Sequence, residues 1–325
     1  MSSTKYTYAV ARIRALETAL FTSSVIEQLL ACSTEKQCLQ LLQEKGWGDT
    51  DTPVNAEAIL DREQEKTWET IRDMKVDMSV FDVFSYPNLF HNLKAAIKDA
   101  CTSKDGRTMK IYYEDTVIPP EEMLDIIRSK DFSRLPEYMS AAAKEAYETL
   151  LHTGDGQLCD VIVDKAALEA VYRAGERAKD RIIKEYAESM VAVADIKIAV
   201  RSQKTAKTIE FMKRAMVPCK SLSIDRLAKA AVQGMGAIVE YLESTVYANG
   251  AAAIVESPSA FERWCDNRII HTMQPQKYET FSVGPLVAYL LARENEIKTV
   301  RIILSGKQNG FSEEAIRERV REMYV

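Results

Sequence analysis

Apolar residues recur along most of the chain with the period of a helix. In residues 8–21 (YAVARIRALETALF), Ala9, Ile13, Leu16 and Leu20 fall at i, i+4, i+7 and i+11, one helical face. Thr34 and Gln37 have the spacing of a capping box, in which the hydroxyl accepts an orphan backbone N–H and the amide reaches back. Leu39, Leu41 and Leu42 follow toward a core, and Gly46 is the natural stop. Pro119-Pro120-Glu121-Glu122 opens another helix, with proline where no donor is needed and acids where the helix dipole favours them. A helix over 135–151 ends at Gly154-Asp155-Gly156, and long helices with little punctuation are predicted over 158–202. A last one is predicted over 312–324, with Glu in its first turn and arginines later. Residues 108–118 (TMKIYYEDTVI) alone have strand-like composition, and read as an extended loop or a short strand. The pattern as a whole is all-α.

A second periodicity is much longer. A polar residue, then Leu or Ile, then Lys, followed by apolar positions, appears at Asn92-Leu93-Lys94. It returns at Asp195-Ile196-Lys197 and at Glu296-Ile297-Lys298. The apolar anchors Leu93, Ile196 and Ile297 are 103 and 101 residues apart, and Arg12-Ile13-Arg14 is a plausible earlier member. An acidic pair keeps the same beat: Asp61 with Glu65, Asp160 with Asp164, and Glu262 with Asp266. Each pair precedes the next anchor by 32, 36 and 35 residues. Either pattern alone is ordinary helix-surface chemistry. Two patterns in step three times imply three related helical modules, and three modules suggest pseudo-threefold symmetry.

Composition narrows the classes. The chain has 325 residues, with 43 Lys+Arg against 48 Asp+Glu. Gly and Pro make up about 6% of it, where roughly 12% is average, which argues against a turn-rich all-β fold. The longest run free of charged residues, 280–292, is 13 residues, too short for a membrane span of roughly 20. The first residues lack the apolar core of a secretion signal, so the expected location is cytoplasmic. Six scattered cysteines without a Cys-x-x-Cys pair read as reduced, mostly buried thiols. The formal charge of −5 gives no support for nucleic-acid binding.

Catalytic signatures are scarce. His91, His152 and His271 stand apart, with no metal-ligand spacing. Gly306-Lys307 lacks the first glycine of a phosphate loop, whose place Arg301 takes, and Gln308 stands where Ser or Thr is needed. Gly234-x-Gly236 has no third glycine. No nucleophile elbow occurs, and no carboxylate pair stands out as catalytic. Two alternatives stay open on these residues: a free all-helical scaffold protein, and an all-α enzyme with an unrecognised site.

The C-terminal third carries a resemblance. Gly284-Pro285-Leu286-Val287-Ala288-Tyr289, Ala292-Arg293-Glu294-Asn295-Glu296-Ile297-Lys298, Ser305-Gly306-Lys307 and Ile316-Arg317-Glu318-Arg319-Val320-Arg321 resemble the end of the V-type ATPase central-stalk adaptor family. Its members are known as the C subunit in V/A-type ATP synthases and as the d subunit in eukaryotic pumps. Tyr8-Ala9-Val10-Ala11-Arg12-Ile13-Arg14 is similar to that family's opening helix. The resemblance implies a funnel of three helical modules, placed here near 1–91, 92–194 and 195–325. It implies a non-catalytic rotor subunit without cofactor, one copy per complex, on the cytoplasmic side of the membrane. Such a subunit links a shaft of subunits D and F to the membrane proteolipid ring and transmits torque for ATP-coupled ion transport. The coupling ion, proton or sodium, is chosen in the ring. Arg14, Lys94, Lys197 and Lys298 are the candidate docking residues, because equivalent positions in three modules would present charges around one axis. The competing expectation is that they pair with acids such as Asp61, Asp160 and Glu262.

Overall fold

The computed structural model describes residues 5–102, 112–114 and 116–325. Every regular element among them is helical. Of the strand-like run over 108–118, residues 108–111 and 115 lie outside the described residues, and the remainder is irregular. The chain divides into two compact units. One joins the segment ending at Met78 to Asn249–Val325; the other is Ser79–Ala248.

The first segment contributes α1 (Thr7–Glu17), α2 (Ser23–Ala31), α3 (Glu35–Glu44) and α4 (Ala56–Asp73). The continuous unit folds as α5 (Asp82–Thr102), α6 (Pro120–Ser129), α7 (Glu137–Thr153) and α8 (Gly156–Arg177). It goes on through α9 (Arg181–Lys204), α10 (Ile209–Ala215), α11 (Ile224–Gln233) and α12 (Met235–Glu243). The final segment adds α13 (Ala248–Glu256), α14 (Pro258–Met273), α15 (Gly284–Gln308) and α16 (Glu313–Arg317).

Local chemistry sets many of the helix ends. The side chains of Thr34, Asn55, Asp155, Thr208, Ser223, Ser257 and Ser312 each accept a backbone N–H from the first turn they precede. At Thr34 the amide of Gln37 does reach back, but to Ser33 N at 2.8 Å, one residue earlier than the box geometry predicts. Pro120 opens α6 with Glu121 and Glu122 in its first turn, and Gly154 closes α7 in the left-handed region at φ 68°. The last helix is shorter than predicted. It stops at Arg317, because the chain beyond it is held by side chains of α14 and α15. Arg321 donates to Asp266 at 2.6 Å, Asn267 Oδ1 accepts Glu322 N at 3.0 Å, and Asn295 donates to Glu322 O at 2.8 Å.

In the unit built from both ends of the chain, α15 is the hub. Most of its 25 residues are buried, on all faces, as a helix wrapped by others must be. Ile297, Val300, Ile303 and Leu304 join one core with Leu29 and Leu30 of α2, Leu42 of α3 and Ile59 of α4. Gly306 is needed there for contact: a Cβ on it would lie 2.5 Å from Ile316 of α16. Lys307 donates to Leu30 O at 2.6 Å, near the carbonyl end of α2. The Gly306-Lys307 pair therefore packs and caps. In the continuous unit, Leu93 and Ile97 of α5, Met139 and Ala146 of α7, and Cys159 and Val163 of α8 share a second core.

Candidate functional site

The threefold pattern places a buried polar side chain at each first position. Asn92, Asp195 and Glu296 are 0, 0 and 2% exposed. Each accepts a backbone N–H from a segment outside the helices: Asn92 from Tyr113 at 2.9 Å, Asp195 from Val217 at 3.1 Å, and Glu296 from Phe21 at 2.6 Å. Such a segment has no helical partners of its own, so a buried acceptor removes the cost of an orphan donor. The next residue in each copy is the apolar anchor. Leu93, Ile196 and Ile297 are 0, 0 and 4% exposed, in the cores. The pattern is thus polar tether, core anchor, boundary cation.

The three tethers differ electrically. Asn92 is neutral and also donates to Tyr113 O and Thr116 Oγ1. Glu296 meets Arg293 Nη1, and the same guanidinium bonds Glu63 through Nη2. Lys66 and the Gly48 N–H complete the coordination of Glu63, and Arg293 lies 5.3 Å over the Trp47 ring. Burial pushes the Glu296 carboxyl up, and Arg293 and the Phe21 N–H pull it back only in part. Asp195 has no such cation in contact. Its Oδ2 is buried with no hydrogen-bond partner among the described residues. Burial raises its carboxyl to about 7, against the opposing pulls of Val217 N–H and Lys165.

The cations at the third positions are largely engaged. Lys94 pairs with Asp164 at 2.7 Å, and Lys98 one turn on pairs with Asp160 at 2.6 Å, a two-rung ladder between α5 and α8. Lys298 pairs with Asp266 at 2.7 Å. Burial opposes ionisation of Asp266, but Lys298 and Arg321 outweigh it and hold the carboxyl below its ordinary value. In both cases the partner is the second acid of the acidic pattern, where the sequence suggested the first. Arg14 donates to the carbonyls of Gln276 and Glu279 at 2.6 and 2.7 Å and pairs with Glu17. Lys197 is half-buried on α9.

Lys94 and Lys197 come together on one surface. They line a groove of about 330 Å³ formed by α5, α8 and α9, with Arg201 and Asp164 also at it. Its walls include Pro87, Leu168, Met190 and Ile198, all half-buried. Nothing in the sequence separated these apolar residues from ordinary core. A second cavity of about 270 Å³, in the unit built from both chain ends, is lined by Glu63, Lys66, Arg293 and Trp47, and Glu63 there pairs with both Lys66 and Arg293. Among the described residues no cluster of His, Cys, Asp and Glu could hold a metal ion. The thiols of Cys38, Cys159 and Cys219 are pushed up by burial, to about 12, 11 and 11, which keeps them unreactive.

The model of the family described as ATP synthase (C/AC39) subunit matches residues 9–319. The chain belongs to that family, and it is a structural rather than catalytic subunit of a V/A-type ATPase. It is 23% identical over 319 residues to the C subunit of the V-type sodium ATPase of Enterococcus hirae, covering 96% of this chain and 97% of that one. It is 22% identical over 342 residues to the C subunit of the A-type ATP synthase of Methanocaldococcus jannaschii, covering 96% and 85%. No helix among the described residues is long and apolar enough to cross a membrane.

Proposed function

We propose that the chain is the coupling piece of the rotor. It joins a central shaft of subunits D and F to the membrane proteolipid ring and carries torque between ATP chemistry and proton or sodium movement. In this reading one copy sits on the cytoplasmic face of the ring. Three modules near 1–91, 92–194 and 195–325 form a funnel with pseudo-threefold symmetry. The observation that carries the reading is the recurrence of tether, anchor and cation at Asn92, Asp195 and Glu296, within a family match that spans nearly the whole chain. The third tether takes its strap from the chain's beginning, at Phe21, so the N-terminal segment completes the module that α15 starts.

Arg14, Lys94, Lys197 and Lys298 are proposed as docking residues lining the cavity or the ring-facing surface. Arg14, Lys94 and Lys298 would share their charge between a partner and the acids they already hold, and Lys197 too is engaged within the chain. The experiment is co-purification of the wild-type chain with shaft and ring subunits, beside a Lys94→Glu, Lys197→Glu, Lys298→Glu triple variant. The variant is expected to stay folded and to lose assembly, while head groups still hydrolyse ATP but pump poorly. A folded triple variant with full assembly and coupling removes the docking role.

A further inference from the structure

The end of α10 splits one helical hydrogen bond between two side chains. A longer helix would give the Val217 N–H to Lys213 O, four residues back. The chain is already extended at Met216, and Pro218 opposes any continuation, because the residue before a proline is driven out of helical geometry. The Val217 N–H turns instead to Asp195 Oδ1 of α9 at 3.1 Å, and Lys213 O accepts Lys165 Nζ of α8 at 3.4 Å. A carboxyl and an ammonium thus serve the two halves of one missing bond, yet the second carboxyl oxygen, Oδ2, has no partner among the described residues. The Lys165 bond is long for a charged donor and lies at the surface, where water can replace it. Asp195 is fully buried, and the Lys165 charge acts on it from α8. The strap brings the Cys219 thiol, which also feels Glu188 two turns earlier on α9. Lys213 and Arg214 of α10 pair elsewhere, with Asp225 and Glu145, and the residues that α11 and α12 bury are apolar or, at Tyr241, a phenol.

We propose that Lys165 is a proton-controlled latch that exchanges one helix tie for another. While Asp195 keeps its proton, Lys165 ties α8 to the end of α10 through Lys213 O. When Asp195 releases the proton to solvent, the ammonium moves to Asp195 Oδ2 and ties α8 to α9, and water takes its place on Lys213 O. Val217 stays bonded to Oδ1 in both states, so the strap is not released. The physical cause is the cost of a bare carboxylate in a core, which an ammonium on a flexible stem is well suited to remove. Burial sets the exchange near pH 7, where a small change in acidity moves it. The latch lies wholly in the continuous unit and is independent of the coupling role proposed above.

The test is a double-mutant cycle on the full chain, with Asp195→Asn, Lys165→Met and the two combined, unfolded by denaturant at pH 5 and at pH 8.5. Asn92 fills the equivalent place in the first copy of the pattern, so the asparagine is expected to be accommodated. At pH 5 the two substitutions should act independently, to within about two-fold in the folding equilibrium constant. At pH 8.5 they should be coupled by about ten-fold. The second readout is the carboxyl-carbon resonance of Asp195 in aspartate-labelled chain. Its titration midpoint should rise by about one pH unit in Lys165→Met, the shift that a ten-fold coupling corresponds to. Coupling of equal size at both pH values, or a midpoint that Lys165→Met leaves unmoved, overturns the proposal. So does an Asp195 resonance that is already that of a carboxylate at pH 5, because the lysine would then have no proton to answer. Should Asp195→Asn fail to fold, the titration in Lys165→Met decides alone.

Discussion

Asp195 and Glu296 do the same backbone job in different electrical surroundings. Both are buried carboxylates at the first position of the repeated pattern, and both accept an N–H from a strap that lacks helical partners. Glu296 is met by Arg293, which Glu63 shares. Asp195 faces Lys165 from α8 and the Cys219 thiol in the strap. The residues that α10, α11 and α12 bury in this unit are apolar or, at Tyr241, an uncharged phenol. Asn92 does the job with no charge. The fold therefore requires an acceptor at this position and not an ion. An ion is tolerated where a cation touches it or where it can keep a proton.

The largest expected effect breaks the charged version of the tether. Arg293→Met leaves Glu296 buried without its cation, and Glu63 with Lys66 alone, and should cost about 3–5 kcal/mol in chemical denaturation. Adding Glu63→Leu and Glu296→Gln to that variant should restore most of the loss, whereas a triple variant no better than the single one would mean that Arg293 acts by packing. Next come the anchors behind each tether. Ile196→Ala and Ile297→Ala should each cost about 2–5 kcal/mol, read the same way. A loss at only one of them would undo their equivalence.

A smaller effect isolates the uncompensated tether. An aspartate titrates near 3.9 in an unfolded chain, and Asp195 does so at about 7 when folded. Between these values the folded protein holds a proton that the unfolded chain has released. Stability therefore falls as pH rises through that window and levels off above it. Asp195→Asn should remove a component on the order of 3 kcal/mol from the difference in unfolding free energy between pH 4.5 and pH 8. An unchanged pH slope would show that Asp195 is ionised throughout. The smallest effects belong to the boundary cations. Lys94→Ala should cost no more than about 1 kcal/mol, because Asp164 is largely exposed, and added salt should shrink the effect.

What could be read from the sequence was whatever nearby residues decide. Thr34, Pro120 and Gly154 mark helix ends through chemistry confined to a turn or two, and they do so in the structure. The repeat was visible as spacing, and its anchors are buried as that spacing required. The role of its first residue was not visible. Asn92 and Asp195 find their partners 21 and 22 residues away, and Glu296 finds its own 275 residues away, at distances where no pattern of neighbours reports a bond. The choice of Asp164 and Asp266 over Asp160 and Glu262 depends on how two helices are set against each other along their axes. The final helix was overextended for a related reason: Glu and Arg spacing over 312–324 favours a helix, but Asp266, Asn267 and Asn295 hold the chain after Arg317 in another form.

The hub position of α15 has a consequence for how the protein is made. Leu29, Leu30, Leu42 and Ile59 leave the ribosome early, yet the side chains that cover them, Ile297 through Leu304, are more than two hundred residues behind. At ordinary elongation rates that gap lasts roughly ten to fifty seconds. Through that interval α2, α3 and α4 lack about a third of their core, while the stretch over 79–248, contiguous and with a core of its own, is completed within it. The middle of the chain thus has the means to fold first. The two ends complete their core last and together, so the N-terminal helices wait longest for the residues that cover them.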